Sequence, residues 1–581
     1  MSLQSKNTYS KNEVTSWTIP NYWDFIALVI VLAVLVILGW GATAMVGKYH
    51  IGQQIHISLD PAKLPYYALR TVVRMFIALA CSFLFTFIFG TWAAKSRHAE
   101  RVIIPMIDML QSVPVLGFLT IAVANLVVIF NGSMIGPELA SIFAIFTAQV
   151  WNMALSFYQS LKTLPKDLGE ASSMFQLSAW QKFWKIEVPY AVPGLLWNTM
   201  LSMSGSWIFL VASEAITVAN QNITLPGVGS YLALAISQTN MHAVINVIIT
   251  MLIVIALYDQ LLFRPMVAWS EKFKMDEVAD ENEAESWVLN LFQSTMLLSY
   301  LGSFIAMFAN AFVNMKIFRK KAARARIVVD KKVRFMGVFL WYVALVALLA
   351  VSGYLLVNYI FASVNIQECL HVFYLGGVTA LRVMVLIGLS SIVWVPIGVW
   401  VGLHPRLSGI VQPIAQFFAA FPANLLYPLF VIMIQRYQLN VNIWTSPLMI
   451  LGTQWYILFN VIAGTMSLPK NLRQAVGTLN VTGWLWWKRF VLPGIFPFYI
   501  TGAITASGGA WNSSIISEVV SWGHTTFRAT GLGAYIDRVT QAGDFPREVL
   551  GIAVMSIIVL LINHLVWRPL YNLAEEKYQI R

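Results

Sequence analysis

Two glutamates stand inside long apolar stretches of this sequence and are the first candidates for chemistry. Glu214 and Glu518 each follow a tryptophan, Trp207 and Trp511, by seven residues. Seven residues make about two helical turns, so each tryptophan and its glutamate should share one face of a helix. An ionisable group at membrane depth usually faces a protein interior or a water-filled path. The carboxylates could therefore line a transport pathway or its gate, or they could bond a neighbouring helix or loop backbone.

Two arginines occupy comparable positions near the start of other apolar stretches. Arg74 and Arg382 each follow a threonine, Thr71 and Thr379, by three residues. A guanidinium at such a position could attract an anion near the outer mouth of a pathway. It could equally extend along its helix and anchor that helix in the headgroup region. The sequence leaves both interpretations open.

No enzymatic constellation accompanies these groups. The segment "GATAMVGKY", residues 41–49, has one residue too many between its glycines for a phosphate-binding loop, and Tyr49 stands where Ser or Thr is needed. The sequence contains neither H-E-x-x-H nor G-x-S-x-G. Its two cysteines, Cys81 and Cys369, are too isolated for a disulfide framework or a metal site. We therefore predict no enzyme activity, no metal site and no cofactor bound by this chain.

The composition is that of a membrane protein. Of the 581 residues, 58% are hydrophobic and 11% are charged, and the mean hydropathy is +0.69. A soluble globular chain has about a quarter charged residues. The net charge of +12 comes from basic residues in short loops, with no basic arm carrying interleaved aromatics, so nucleic-acid binding is not expected. The first 24 residues are polar and lack the pattern of a secretory signal, which predicts a cytoplasmic tail.

Long apolar runs predict an all-α polytopic membrane protein with about twelve transmembrane helices. The first set is expected at residues 25–46, 66–93, 102–130, 138–161, 190–217 and 243–265. The second set is expected at residues 335–360, 372–402, 409–435, 443–466, 494–519 and 547–567. Lys and Arg concentrate in alternate loops, which places both termini in the cytoplasm. The halves are therefore predicted to be parallel six-helix repeats.

These spans divide the chain into four parts. Residues 1–24 form the tail, 25–274 the first half, 275–334 a cytoplasmic linker and 335–581 the second half. Within the linker, residues 287–315 are apolar enough to span a membrane, but one extra span would place the basic residues 319–326 outside. We therefore predict one helix, or a pair of short ones, lying at the cytoplasmic membrane interface.

The second half repeats the first. Residues 164–232 align with 468–536 without a gap, at an offset of 304. "LPKDLGEA" faces "LPKNLRQA", "GSWIFLVASE" faces "GAWNSSIISE", and "GVGSY" faces "GLGAY". Matches at Trp, Pro, Glu and Gly are too informative to arise from apolar composition alone. They indicate a duplicated unit folded as a pseudodimer.

Each half contains one short polar stretch on the predicted cytoplasmic side. We call residues 164–189 the first polar segment and residues 468–493 the second polar segment. In the first, Ser178 and Gln181 predict a capping box that starts a helix, and Pro189 should end it. Aromatic residues at positions 180, 183 and 184 form one face of that helix. This face could rest in lipid headgroups, or it could lie in the groove of a cytoplasmic partner.

The spacing within both polar segments resembles the coupling motif of ABC importer permeases. The resemblance extends over about residues 66–273 and 372–577. Within the family, the sequence is similar to the branch that imports nitrate, sulfonates, taurine or bicarbonate. It implies that the first polar segment docks an ATPase subunit through Glu170, Ala171, Ser172, Gln176, Trp180, Ile186 and Pro189. The counterparts in the second polar segment are Gln474, Ala475, Val476, Asn480, Trp484, Phe490 and Pro493.

Three residues depart from the family pattern. The usual glycine is replaced by Gln176 and Asn480, and the usual glutamate of the second half is replaced by Gln474. Asn tolerates the left-handed conformation that Gly supplies and Gln does so less readily, so the first turn could differ from the second. The loss of one carboxylate should also make the two docking surfaces unequal.

The resemblance implies a set of partners in the inner membrane of a prokaryote. Two ATPase subunits carrying ATP and Mg would dock from the cytoplasm. A periplasmic or lipid-anchored binding protein would deliver a small solute, an anion such as nitrate, a sulfonate, taurine or bicarbonate. The alternative is an ion-coupled secondary transporter, since parallel six-helix repeats also describe that class. A membrane scaffold or sensor without transport is a third possibility.

Overall fold

The computed structural model describes residues 39, 43, 45, 55–112, 115–130, 133–218, 221–273, 287–294, 296–315 and 331–578. The predicted tail, nearly all of the predicted helix at 25–46 and parts of the linker lie outside these residues. Within them, the chain is helical apart from short loops and two small hairpins.

Eleven α-helices and one hairpin form the described part of the first half. They are α1 (Leu64–Phe85), α2 (Thr91–Lys95), α3 (Arg97–Ser112), α4 (Val115–Ile129), α5 (Ile135–Lys162), α6 (Lys166–Met174), α7 (Ala179–Lys182), α8 (Val188–Ser213), β1 (Ala215–Val218), β2 (Gln221–Thr224), α9 (Val228–Ser237), α10 (Met241–Tyr258) and α11 (Arg264–Ser270). The linker contributes α12 (Trp287–Ser294) and α13 (Met296–Val313). The described residues on both sides of position 295 are helical, as the linker prediction expects, and whether they form one helix or two, and their position in the membrane, stay predictions.

The second half repeats this order in the described residues. Its elements are α14 (Lys331–Phe361), α15 (Ile366–Leu403), α16 (Pro405–Ala420), α17 (Tyr427–Tyr437), α18 (Val441–Trp444), α19 (Ser446–Ile450), α20 (Trp455–Met466), α21 (Lys470–Thr478), α22 (Gly483–Trp486), α23 (Leu492–Ser517), β3 (Val519–Trp522), β4 (Thr525–Arg528), α24 (Leu532–Ala542), α25 (Phe545–Ile562) and α26 (Arg568–Tyr578). Helices α8 and α23 begin and end at positions 304 apart, and so do the two hairpins. The predicted duplication is confirmed.

Several helices are long and apolar enough to cross a membrane. Eight qualify among the described residues, or ten if each of two bent helix pairs counts as one span. In the predicted span at 102–130 the described residues form α3 and α4, and positions 113–114 between them lie outside the described residues. The all-α polytopic fold with two repeats is thus confirmed, although several predicted spans are broken or end early.

The broken spans have local causes. Arg406–Ala420 and Ala423–Tyr437 meet at an angle of 74°. Phe421 between them is extended, with φ −71° and ψ 126°, because the ring of Pro422 disfavours a helical residue before it. Val441–Ile450 and Trp455–Met466 bend by 45°.

The predicted helices at 190–217 and 494–519 are too long at their C-terminal ends. They stop at Ser213 and Ser517, after which short antiparallel strands pair Ala215 with Thr224 and Val519 with Arg528. These strands are rich in Val, Ile and Thr, which fit a pleated surface better than a helix.

The prediction that Pro189 ends a helix is wrong. The chain is helical from Ala179 to Ser213 through a π turn at Phe183–Glu187. The Val188 amide donates to the Phe183 carbonyl and closes this wider turn, so the proline, which has no N–H, falls at the following position. The second half has the same π turn at Trp487–Val491. There it directly precedes Leu492-Pro493, as the first π turn directly precedes Val188-Pro189.

Hydrogen bonds and apolar contacts join the two halves. The Val115 amide donates to Asn512 Oδ1 at 2.9 Å, and Asn424 Nδ2 donates to the Ile208 carbonyl at 3.3 Å. A cluster of apolar side chains from both halves surrounds these bonds. The pseudodimer interface therefore lies along the inner sides of α4, α8, α17 and α23.

Candidate functional site

Glu214 follows α8 and belongs to a buried ionic network. Its Oε1 accepts hydrogen bonds from Arg74 Nη1 and Thr71 Oγ1, both at 2.6 Å. Arg74 also bonds Glu138, with Nε 2.6 Å from Oε2 and Nη2 2.9 Å from Oε1. Arg70 Nη2 lies 2.5 Å from the same Glu138 carboxylate. Each of the four charged residues is at most 4% exposed, so two positive and two negative charges leave the solvent together.

The loop that joins β2 to α9 closes over Glu214. The Gly229 amide donates to Glu214 Oε2 at 2.7 Å. A Cβ atom on Gly227 would lie 2.2 Å from the Glu214 carboxyl carbon, and one on Gly229 would lie 2.0 Å from the Val211 carbonyl oxygen. Only glycine permits this approach, which explains both glycines of "GVGSY".

The second half contains a smaller version of this network. Glu518 Oε1 accepts hydrogen bonds from Arg382 Nη1 and Thr379 Oγ1, both at 2.8 Å. Its Oε2 accepts from the Ala534 amide at 2.9 Å. Thr71 and Arg74 align with Thr379 and Arg382 at an offset of 308, whereas the later segments align at 304. Glu138 corresponds to Ser446 or Asn442 at these two offsets, so that carboxylate is not repeated. The Arg382 side chain remains 10% exposed.

These contacts bear on the candidate pathway residues, which are Arg74, Trp207, Glu214, Arg382, Trp511 and Glu518. Each glutamate bonds a neighbouring helix and a backbone amide in the first turn of α9 or α24, which agrees with the structural interpretation. Both tryptophans are buried with them. Each guanidinium is ion-paired inside the protein, with Arg74 fully buried and the Arg382 side chain 10% exposed, so the interpretation as a headgroup anchor is wrong, while a role in the pathway stays a prediction.

A polar cavity between the two halves escaped the sequence analysis. Its volume is about 100 Å³, and none of the six candidate pathway residues lines it. The repeat relates its lining positions, since Ser204 and Gly205 correspond to Gly508 and Gly509 at the offset of 304. Small and polar residues at equivalent positions of α8 and α23 were the signal that could have identified it.

The cavity lining offers hydrogen bonds rather than formal charge. Its polar side chains are Gln111, Thr147, Asn152, Ser204, Thr453, Tyr456, Thr505, Asn512 and Ser513. The hydroxyl oxygens of Ser204 and Thr453 are buried and have no hydrogen-bond partner in the described part of the chain. Buried polar groups are normally bonded, so these hydroxyls remain available to water or to a solute.

Both polar segments turn at a residue with left-handed backbone. Gln176 has φ 50° and Asn480 has φ 49°. In the first segment the Leu177 amide donates to the Ser172 carbonyl at 3.1 Å, and the second segment repeats this bond at 3.2 Å. The expectation that Gln would change the first turn is therefore wrong, because the same backbone bonds close both turns. The predicted capping box is confirmed by bonds in both directions between Ser178 and Gln181.

Replacing Gln176 with glycine is expected to stabilise the protein by about 1 kcal/mol, because a left-handed non-glycine residue carries a cost of that order. Thermal unfolding of the purified chain in detergent measures it. Asn480→Gly is the matched comparison and should give a smaller gain, since Asn adopts this conformation more readily. An equal or larger gain for Asn480→Gly would contradict this explanation.

The aromatic faces of the two polar segments differ. Trp180 packs against Phe312 of α13 with ring centroids 5.2 Å apart, and its Nε1 donates to the Phe312 carbonyl at 3.2 Å. Gln181 Nε2 bonds Asn314 Oδ1 at 3.0 Å. The corresponding Trp484 is 72% exposed. Among the described residues, the linker therefore covers the aromatic face of the first polar segment and leaves Trp484 of the second exposed.

The predicted docking residues divide into exposed and buried groups. Glu170, Gln176, Gln474, Ala475, Asn480 and Trp484 are exposed, whereas Ser172 and Phe490 are buried and Ala171, Val476, Trp180, Ile186, Pro189 and Pro493 are intermediate. Apolar side chains at the turns, Phe175 and Leu479, are also strongly exposed. The docking role of all these residues stays a prediction, and the turns offer the most accessible apolar surface.

One family model matches the chain twice, at residues 86–263 and 394–570, which together are more than half of its length. Its description is binding-protein-dependent transport system inner membrane component. This chain belongs to that family. Each match falls in one half, so the chain is a fused double permease, a multi-pass inner-membrane transport protein. Membership in this importer family favours the permease over the alternatives of a secondary transporter or a scaffold.

Several characterised permeases are similar to this permease over one half. The bicarbonate transport system permease protein CmpB of Synechococcus elongatus is 23% identical over 178 residues, which are 31% of this chain and 61% of CmpB. The nitrate import permease protein NrtB of Synechocystis is 27% identical over 125 residues, 22% of this chain and 42% of NrtB. The taurine transport system permease protein TauC of Escherichia coli is 25% identical over 189 residues, 31% of this chain and 62% of TauC. The aligned part thus spans less than two thirds of each relative.

Proposed function

We propose that this permease carries a small oxyanion or sulfonate through the cavity between its halves, driven by two separate ATPase subunits. The unpartnered hydroxyls of Ser204 and Thr453 are the observation that carries the proposal. Hydroxyl and amide N–H groups can donate to the oxygens of a solute such as nitrate, bicarbonate or taurine. The named substrates of the similar permeases support this class.

An uncharged cavity lining allows the solute to be released as well as bound. A fixed cation in the cavity would hold an anion strongly in both the inward-facing and the outward-facing state. Hydrogen bonds bind more weakly, and their geometry changes when the halves move. The affinity of the cavity for the solute must therefore differ between the two states. Binding of ATP and of a substrate-binding protein would impose that difference.

The two polar segments are the proposed docking surfaces for the ATPase subunits. Each presents exposed residues around a rigid turn that is closed by backbone bonds. The ATPase subunits would hold ATP and Mg. They would move the two turns towards each other and so change the cavity from the inward-facing to the outward-facing state. The first turn carries Glu170 and the second Gln474, so the two subunits would meet unequal surfaces.

The test of transport uses the full chain with its ATPase subunits in nanodiscs. Nitrate, bicarbonate, taurine and an alkyl sulfonate, each with a substrate-binding protein, should be compared as stimulators of ATP hydrolysis. We expect stimulation by one of these solutes and none by a cation of similar size. ATP hydrolysis that no solute changes, or uptake driven by an ion gradient without ATP, would overturn the proposal.

Substitutions in the polar segments test docking. Ala171→Asp and Ala475→Asp should weaken ATPase association, because each adds an unpaired charge to the proposed contact, while the chain still inserts. Trp484→Ala should weaken association as well, since its ring is exposed. Trp180→Ala should mainly lower thermal stability, since its ring packs on Phe312. Co-purification and thermal unfolding separate these effects, and unchanged association in both aspartate variants would count against docking.

A further inference from the structure

Within the part of the chain that the structure describes, the second half has an uncovered groove at the position where Phe312 packs in the first half. Phe312 contacts Trp180 and Trp184, with ring centroids 5.2 and 6.0 Å apart. At the offset of 304 these two tryptophans correspond to Trp484 and Lys488, which both line the groove. The repeat thus presents one covered site and one uncovered site at equivalent positions.

The groove is large and mostly apolar. Its volume is about 740 Å³. Helix α15 supplies Ile392, Val395 and Pro396, and the opposite wall runs from Trp484 along the start of α23 to Phe496. Two polar side chains in it, Ser391 and Tyr499, bond each other at 3.1 Å and are satisfied. An occupant must therefore be largely apolar where it meets the interior of the groove.

The direction of the groove follows the helix that forms its wall. Lining positions 484, 488, 492 and 496 recur every four residues and so form one stripe along the helical surface. This stripe is about 18 Å long at a rise of about 1.5 Å per residue. That length is close to one leaflet of a bilayer whose hydrocarbon core is about 30 Å thick. The walls belong to two candidate membrane spans, Ile366–Leu403 and Gly483–Ser517, and Ile392 is 72% exposed, so we expect the groove to face the bilayer.

Charge at one end distinguishes this groove from an ordinary lipid-facing surface. Lys488 replaces the aromatic Trp184 of the first half, and no acidic residue lines the groove. Lys488 lies beside Trp484 and Trp487 at the end of the groove that the second polar segment forms. A lysine and tryptophans at one end of an apolar groove match a phosphate headgroup above an acyl chain.

We propose that this groove binds one anionic phospholipid. The Lys488 ammonium contacts the lipid phosphate, and one acyl chain lies along Ile392, Val395 and Phe496. The lipid takes the place that Phe312 takes in the first half, so the side of the second polar segment is supported by lipid where the first is supported by protein. Free phosphate does not suit this site, because the groove beyond the Lys488 end is lined mainly by apolar side chains.

The experiment quantifies lipid retained by the full chain after graded washing in detergent, using mass spectrometry with phosphatidylglycerol and phosphatidylcholine supplied in equal amounts. Wild-type chain should retain phosphatidylglycerol in preference to phosphatidylcholine. Lys488→Gln should weaken that retention about fivefold, the factor that corresponds to about 1 kcal/mol for one basic residue near an anionic lipid. Ile392→Trp, which fills the groove, should reduce it as well and provides a second route if the first variant is poorly expressed.

Two matched controls separate the groove from general surface effects. Arg489→Gln removes a neighbouring exposed charge that does not line the groove, and Leu84→Trp changes the exposed first-half counterpart of Ile392 at the offset of 308. Both should retain phosphatidylglycerol as wild type does. Equal retention of the two lipids, unchanged retention in Lys488→Gln and Ile392→Trp, or displacement by inorganic phosphate alone would each overturn the proposal.

Discussion

Replacing Glu214 with alanine is expected to destabilise the folded chain by about 3–5 kcal/mol, the cost of leaving a buried charge without its partner. The change removes the carboxylate that bonds Arg74 and Thr71 and leaves the buried network with excess positive charge. It also leaves the Gly229 amide without its acceptor. The fraction of folded chain after gel filtration and its thermal unfolding midpoint in detergent measure the loss.

Two comparison variants test whether the loss of stability is specific to the buried network around Glu214. Glu518→Ala should cost less, because Arg382 is partly exposed and can be solvated. Glu170→Ala, at an exposed carboxylate of the first polar segment, should leave the midpoint unchanged. If Glu214→Ala unfolds at the wild-type temperature, the network has no structural role and a pathway role for Glu214 must be reconsidered.

Replacing Gly508 with leucine is expected to reduce solute-stimulated ATP hydrolysis about tenfold or more, since forcing a larger side chain into an occupied site costs about 1–3 kcal/mol. Gly508 lines the cavity, and a Cβ atom there meets no other heavy atom within 4 Å. The backbone therefore accepts the substitution, and the longer side chain enters the space proposed for the solute. ATPase association should stay at the wild-type level.

The matched control is Gly388→Leu. Gly388 is exposed on α15, and a Cβ atom there also meets nothing within 4 Å, so both variants place leucine on a helix without local collision. Gly388→Leu should retain solute stimulation. Full stimulation in Gly508→Leu would show that the solute does not pass through this cavity.

The sequence predicted the architecture because its signals were long and repeated. Apolar runs, the gapless offset and the Ser178 capping box all depend on residues close together in the chain, and the structure confirms them. Errors arose where a single residue acts against its surroundings. Pro189 suggested a helix end, but a π turn accommodates it, and Gln176 suggested an altered turn, but backbone bonds hold it.

The site was harder to predict because its contacts join distant parts of the chain. Arg74 and Glu214 are 140 residues apart, and Glu138 enters the network from a third helix. The sequence showed ionisable side chains within apolar stretches, where burial of a charge is unfavourable. It did not show that these side chains form ion pairs with one another. The cavity has the opposite difficulty, because serine, threonine and glycine are common in membrane helices and acquire meaning only when two halves bring them together.

The contact between Phe312 and Trp180 also indicates where the first half of the chain ends. Helix α13 follows the first half in the chain and packs on it, so residues up to 315 belong structurally with the first half. A chain divided within 316–330 would keep that contact within one polypeptide, whereas division within 274–286 would assign α13 to the other product. The boundary between the two structural halves therefore falls after α13 rather than before it.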